Sequence, residues 1–265
     1  MMATVKEFVQ GGSFLIQETP PQDVFTPEDL NDEQKMMGRL TGEFVEAEVK
    51  PKAEQIEHQD WDLTVKLFRR AGELGLLSVD LPTKYGGLGL DLITSVVIAE
   101  RLIEAGSFGI SVFDHVGIGS LPIAWFGTAE QKARYLPFLA TGAKIGSYAL
   151  TEPGSGSDAL AAKTKAVVTP DGRFYLLNGT KQFITNAAFA DLYITYAKVD
   201  GDKFSAFIID KGTPGVTLGA EEKKMGIKGT STRSVILDNA RVPVENLLYE
   251  VGKGHKVAFD ILNIG

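Results

Sequence analysis

The sequence predicts an α+β protein: a helical N-terminal domain, then a middle antiparallel β-barrel or sandwich domain, then the start of a C-terminal helix. Two changes of period carry this reading. Apolar residues recur at helical spacing through the first half, switch to alternation from Lys144 onward, and return to helical spacing after Val242-Pro243. The boundaries read as an N-terminal extension over 1–26, a helical domain over 27–143, a β domain over 144–250 and the opening of a further helical domain over 251–265.

Thr26-Pro27-Glu28-Asp29 combines a hydroxyl cap, proline at the first helical position and acids facing the dipole, which marks a helix start. Met37, Leu40, Phe44 and Val45 then form its buried stripe. A second helix carries Leu63, Leu67, Ala71 and Leu74 and stops at Gly75, which suits a left-handed cap. Residues 82–89, rich in glycine, form a turn-rich connector. Asp91 caps a third helix with Ile93, Val96, Val97, Leu102 and Ile103 inward, and an apolar segment from Phe108 to Ile118 precedes a break at Pro122. Gln131 to Leu139 is a short helix. The β-rich runs are 164–168, 173–177, 192–196, 204–209 and 234–237, with turns at Pro170-Asp171-Gly172, Asn178-Gly179 and Asp200-Gly201-Asp202. Gly252 to Gly265 closes the sequence as a helix with Val257, Ile261 and Ile264 on one face.

Composition narrows the function. With 265 residues and 44% hydrophobic content the chain builds real cores. A net charge of −7, both signs interspersed, offers no basic stripe for nucleic acid. The absence of cysteine removes disulfides, thiolate catalysis and cysteine-ligated metals, and fits a reducing compartment. Residues 1–20 lack the pattern of a secretory signal, and no run approaches the roughly 20 apolar residues of a membrane span. A soluble, cytoplasmic protein is the expectation.

Chemistry concentrates in Tyr148 to Asp158, YALTEPGSGSD. Its glycines alternate with small hydroxyl residues, so the backbone can approach a ligand and offer N–H and O–H donors to a phosphate or a polar ring edge. The same composition also makes an ordinary surface loop, and the residues alone leave both readings open. The spacing is neither that of a Walker loop nor that of a Rossmann fingerprint.

With that string stand KYGGLGL at 84–90, FGTAEQKARYLPFLATG at 126–142, NGTKQFITNA at 178–187 and KKMGIKGTSTRSVILDNARVPVENLL at 223–248, in this order. Together they resemble the acyl-CoA dehydrogenase family, and the closing GHKVAFDILNIG resembles its very-long-chain-like branch. The resemblance implies a helical domain, a β domain and a C-terminal four-helix bundle, with FAD between the last two. It implies that Tyr148, Ala149, Leu150 and Thr151 line the flavin, with Thr151 bonding the ring edge, and that Gly156 and Ser157 reach the cofactor diphosphate and the acyl-CoA. Phe183, Ile184 and Thr185 would pack on the ring and bond its pyrimidine side. Phe183 stands where most relatives have tryptophan; it keeps an aromatic face and loses the indole N–H.

The implied reaction is α,β-dehydrogenation of an acyl thioester to a trans-2-enoyl-CoA in fatty-acid β-oxidation, with an electron-transfer flavoprotein as acceptor and a homodimer or homotetramer as assembly. The base would be a glutamate in the bundle or, in a minority branch, at the position of Gly265, where glycine cannot serve. No catalytic residue is therefore assigned within the chain, the base being expected beyond Gly265. The expectation is a truncated chain, inactive and weak in FAD binding by itself. Asn263 aligns with a substrate-contacting position.

Other residues are weighed against plainer roles. Asp114 and His115 border the acyl cavity by resemblance, though a buried, satisfied histidine is the commoner outcome. His58 and His255 are isolated, so no metal is expected. Glu152 is read as a loop-building residue before a base. An acyl-CoA oxidase or flavin monooxygenase on the same scaffold, and a non-catalytic flavin or acyl-CoA binding module, are the competing functions.

Overall fold

The computed structural model describes residues 8–264; expectations that fall on residues 1–7 and on Gly265 lie outside it. Thr26 starts a helix as expected, but only a one-turn 3-10 helix and not a longer α-helix. Pro27–Asp29 makes a single 3-10 turn, with Asp29 Oδ2 accepting from the Thr26 N–H at 3.1 Å. Helix α1 (Asp32–Phe44) begins at a second capping box. The Asn31 side chain accepts from Gln34 N at 2.8 Å, and Gln34 Oε1 accepts from Asn31 N at 2.9 Å. A short α2 (Ala53–Glu57) leads to α3 (Trp61–Glu73), which ends at Gly75 with φ +78°, the left-handed cap the sequence predicts.

Asp91 caps α4 (Leu92–Leu102), its Oδ1 accepting from Thr94 N at 2.8 Å. The buried stripe of α4 is Thr94, Val97, Ile98 and Leu102; Ile93, Val96 and Ile103 point outward. The expected stripe was rotated because α4 carries apolar residues on more than one face. A glycine permits its close approach to α1: a Cβ on Gly38 would lie 2.8 Å from Val97 Cγ1. Next come α5 (Ser107–Phe113), a π-helical turn over Asp114–Ser120, and α6 (Leu121–Phe126). Pro122 breaks nothing. It sits in the first turn of α6, where no intrahelical N–H is required, and the π turn absorbs the change of pitch. A capping box between Thr128 and Gln131 opens α7 (Ala129–Ala140). Phe44 and Phe68 meet Phe108 edge-on at 6.1 and 5.4 Å in the centre of the helical core.

The β domain contains β1 (Gly146–Ala149), β2 (Lys165–Val168), β3 (Phe174–Thr185), β4 (Leu192–Val199), β5 (Lys203–Asp210), β6 (Val216–Leu218), β7 (Thr232–Pro243) and β8 (Leu247–Leu248). Their order is β6-β7-β3-β2-β4-β5-β8, with β1 alongside β4. Most pairings are antiparallel; β1 and β2 run parallel to β4. The Pro170 and Asp200 turns lie where expected, the latter with φ +49° and +89° at Asp200 and Gly201. Asn178-Gly179 is no turn. β3 continues through it with a register shift against β7, because Gly179 (φ +157°) lets the strand pass Thr164: a Cβ there would lie 2.3 Å from Thr164 Oγ1.

Alternate residues of β4 serve two cores. Leu192, Ile194 and Tyr196 face a layer with α6, α7 and α8 (Gly254–Leu262), while Tyr193 and Ala197 face the interior of the β domain. On α8, Val257 and Ile261 point inward as the periodicity requires, and Ile264 lies beyond the helix, half-exposed. A clasp joins the two domains. The Glu57 carboxylate accepts from the N–H groups of Lys228 and Gly229 at 3.0 and 3.2 Å and from the Ser107 hydroxyl, and Thr230 Oγ1 donates to Ser107 O at 2.9 Å.

Candidate active site

The chain leaves β1 at Ala149 and passes through Leu150 and Thr151 into a tight loop. Glu152 and Ser155 exchange backbone bonds at 2.9 and 3.1 Å, leaving Gly156, Ser157 and Asp158 exposed. A Cβ built on Gly154 or Gly156 meets nothing within 4 Å, so the loop faces open space. Glu152 turns inward instead. Its carboxylate accepts from Lys181 Nζ at 2.7 Å and from the backbone of Lys163 and Thr164 at 2.6 and 3.2 Å. Burial pushes Glu152 up, but the Lys181 charge and these bonds outweigh it and hold the carboxyl below its ordinary range. Fully engaged, it is a structural anchor. Lys181 also donates to Leu150 O at 3.2 Å, which fixes the start of the loop.

Lys181 belongs to β3, and the end of β3 forms the other half of the site. Gln182 N donates to Thr151 O at 2.8 Å and stitches strand to loop. A bulge between Lys181 and Ile184 then puts Phe183 at φ +60°, with the residue 56% exposed. A bulky residue in the left-handed region is strained, and such strain clusters where a site requires a particular geometry. Asn186 (φ +61°) holds the strand end, donating through Nδ2 to Ser111 O at 2.8 Å and to Asp114 Oδ2 at 3.1 Å.

The structure thus brings Leu150, Thr151, Phe183 and Thr185 together, partly exposed, along the loop-to-strand seam. Tyr148, Ala149 and Ile184 are buried: the Tyr148 ring packs edge-on against Tyr196 at 5.4 Å, and its hydroxyl points to Ala258 O at 3.5 Å. Gly156 and Ser157 stand at the open loop. Asn263 caps α8 and borders a cavity of about 470 Å³. Leu92, Val96 and Ala99 of α4 form one wall of this cavity, and Phe113, Val116 and Gly117 form another. Apart from Val96, read as core-facing, the sequence singled out none of these six. Their signal was available: positions 92, 96 and 99 follow an i, i+4, i+7 pattern beside the core stripe. The cavity and the seam are tied through Asp114, which follows Phe113 and receives Asn186.

Burial pushes the Asp114 carboxyl well up, the Asn186 amide only partly opposing it. His115 accepts from Gly146 N at Nδ1 (3.0 Å) and donates from Nε2 to Leu139 O (3.1 Å), which defines the neutral tautomer. Burial holds its pKa down at about 4. It is a satisfied brace between the π turn, α7 and β1. His58 is exposed, and among the described residues no group of three His, Cys, Asp or Glu side chains could hold a metal. No helix among them is long and apolar enough to cross a membrane.

Fold and site together define a two-domain α+β protein that presents hydroxyls and a bare aromatic ring on a glycine-rich seam, coupled to an apolar cavity. The acyl-CoA dehydrogenase N-terminal domain matches residues 31–143, and the middle domain of the same family matches residues 147–240. A probable acyl-CoA dehydrogenase of Bacillus subtilis is 59% identical over 256 residues, covering 97% of this chain and 43% of the relative. The human mitochondrial very long-chain specific acyl-CoA dehydrogenase is 37% identical over 272 residues, covering 96% of the chain and 40% of that protein. The crystal structure of an acyl-CoA dehydrogenase complexed with FAD from Bacillus anthracis superposes with a TM-score of 0.94 at 57% identity, covering 97% of the chain and 44% of that structure. The chain belongs to the acyl-CoA dehydrogenase family, and it spans less than half the length of these three relatives.

Proposed function

We propose that this chain supplies the flavin- and thioester-binding part of an FAD-dependent acyl-CoA dehydrogenase, acting in the cytoplasm in fatty-acid β-oxidation. The observation that carries the reading is Phe183, held exposed at a strained φ on a bulge stitched to Thr151. The seam fits a flat ring with a polar edge: Phe183 offers a face, and Thr151 and Thr185 offer hydroxyls. The open Gly154–Ser157 turn has room for a diphosphate.

FAD, when bound, would take up the hydride equivalent that leaves the β-carbon of the acyl group. The chain's own task is to place that carbon. The cavity walls of α4 and the π turn would take the acyl tail, Asn263 would meet the substrate at the cavity mouth, and Ser157 would reach the acyl-CoA from the loop. Orienting the reacting atoms in this way is worth several powers of ten in rate. The α-proton would pass to a carboxylate outside residues 8–264, and the electrons to an electron-transfer flavoprotein. The working assembly would be a homodimer or homotetramer.

Flavin fluorescence quenching during FAD titration tests the reading. Weak, saturable binding to the chain is expected, and Thr151→Val and Phe183→Ala should each weaken it by about tenfold, the loss of one ring-edge bond or one stacked face. Binding indifferent to both substitutions would place the flavin elsewhere. Turnover of an acyl-CoA with an artificial acceptor by the chain alone would refute an external base.

A further inference from the structure

We propose that Ala99 is a specificity-determining residue: it admits the far end of a long acyl chain from the 470 Å³ cavity into a second apolar pocket behind it. The inference rests on the acyl-CoA reading of the cavity. The second pocket measures about 40 Å³ and lies beneath α4 and α5, floored by Leu76, Val79, Ile98, Leu102 and Val112. All five are buried core residues, so the floor is rigid. The two spaces share four wall residues, Ser95, Ala99, Phe113 and Val116, so only a partition one side chain thick separates them.

The chemistry of the inner pocket selects its occupant. A buried water requires two to four polar partners. The only polar side chain on the inner wall is Ser95, and its hydroxyl is already donated to Asp80 Oδ1 at 2.6 Å. A pocket of this kind stays dry and favours a methyl terminus. Asp80, by contrast, borders only the outer cavity, so the charged partner of Ser95 stays out of the inner pocket. Ala99 is the smallest of the four partition residues, and Phe113 is the largest. Position 99 contributes only a methyl group to this partition; a larger side chain there would thicken it from the α4 side. The substrate class that uses both spaces is a long, unbranched acyl thioester.

Calorimetric titration of the protein with hexadecanoyl-CoA and butanoyl-CoA tests this. Each methylene moved into an apolar site contributes roughly fourfold in affinity. Ala99→Phe, which would exclude two or more, should weaken hexadecanoyl-CoA by about tenfold or more relative to butanoyl-CoA. Phe113→Ala should shift the ratio in favour of the long ligand. Should Ala99→Phe fail to fold, Ala99→Val replaces it, with a loss of about fourfold for hexadecanoyl-CoA relative to butanoyl-CoA. Equal losses for both ligands, or an unchanged ratio in every variant, would overturn the role of Ala99 while leaving the acyl-CoA reading intact. Failure of the wild-type chain to bind either ligand would overturn both.

Discussion

Lys181 Nζ lies 2.7 Å from Glu152 Oε1, with both side chains shut off from water and the loop-to-strand seam built directly upon them. Removing one partner strands a buried charge. Lys181→Met should therefore cost about 3–5 kcal/mol, and adding Glu152→Gln should recover part of the loss, because a neutral amide still accepts from Lys163 and Thr164. Urea denaturation of the two single variants and the double variant measures the coupling; strictly additive losses would deny it.

His115 predicts acid sensitivity. Its folded pKa of about 4 lies below the 6.5 of the free side chain, so between these values the unfolded chain binds more protons. Stability contributed by the neutral ring is complete above pH 6.5 and falls as pH drops toward 4, by about 3 kcal/mol in all. His115→Gln should lower stability at pH 7 and flatten this dependence. Unfolding free energies at intervals between pH 4.5 and 7.5 provide the check.

Phe183 should reverse the usual ranking of glycine and alanine in a strand. Alanine normally exceeds glycine by about 0.5–1 kcal/mol, but at φ +60° a Cβ is penalised by about 1–2 kcal/mol. Phe183→Gly should thus be at least as stable as Phe183→Ala, while both lose flavin affinity. Thermal melts with parallel FAD titrations separate the two effects; a more stable alanine variant would show that the bulge relaxes.

The Glu57 clasp makes a local prediction. Glu57→Ala leaves the N–H groups of Lys228 and Gly229 without their acceptor and should cost about 1–3 kcal/mol. Amide exchange at these two residues should accelerate, and limited proteolysis should begin next to Met225, which is 97% exposed. Unchanged exchange would mean that the loop is held by its other contacts.

Features set by residues within about four positions of each other were legible in the sequence: the Asp91 cap, the Gly75 stop and the Asp200-Gly201 turn. Features that depend on distant partners were not. Asn178-Gly179 has the chemistry of a turn, yet Gly179 serves to clear Thr164 on a neighbouring strand. Val96 has the hydrophobicity of a core residue, yet it lines a cavity and is largely exposed. Residues 148–158 were ambiguous alone because the partner that organises them, Lys181, lies 29 positions beyond Glu152. The family motifs supplied what local patterning lacked.

The π turn at Asp114–Ser120 has one further consequence. Relative to an α-helix, a π turn behaves as a one-residue insertion, which rotates everything after it by about 100°. Phe113 and Val116 can therefore face the cavity while His115 braces β1 and Leu121 still meets the β domain. Shortening this turn by one residue would leave composition and hydrophobicity almost unaltered, yet it would change which side chains face the cavity. In this helix the phase of the backbone, more than the identity of any side chain, determines the shape of the pocket.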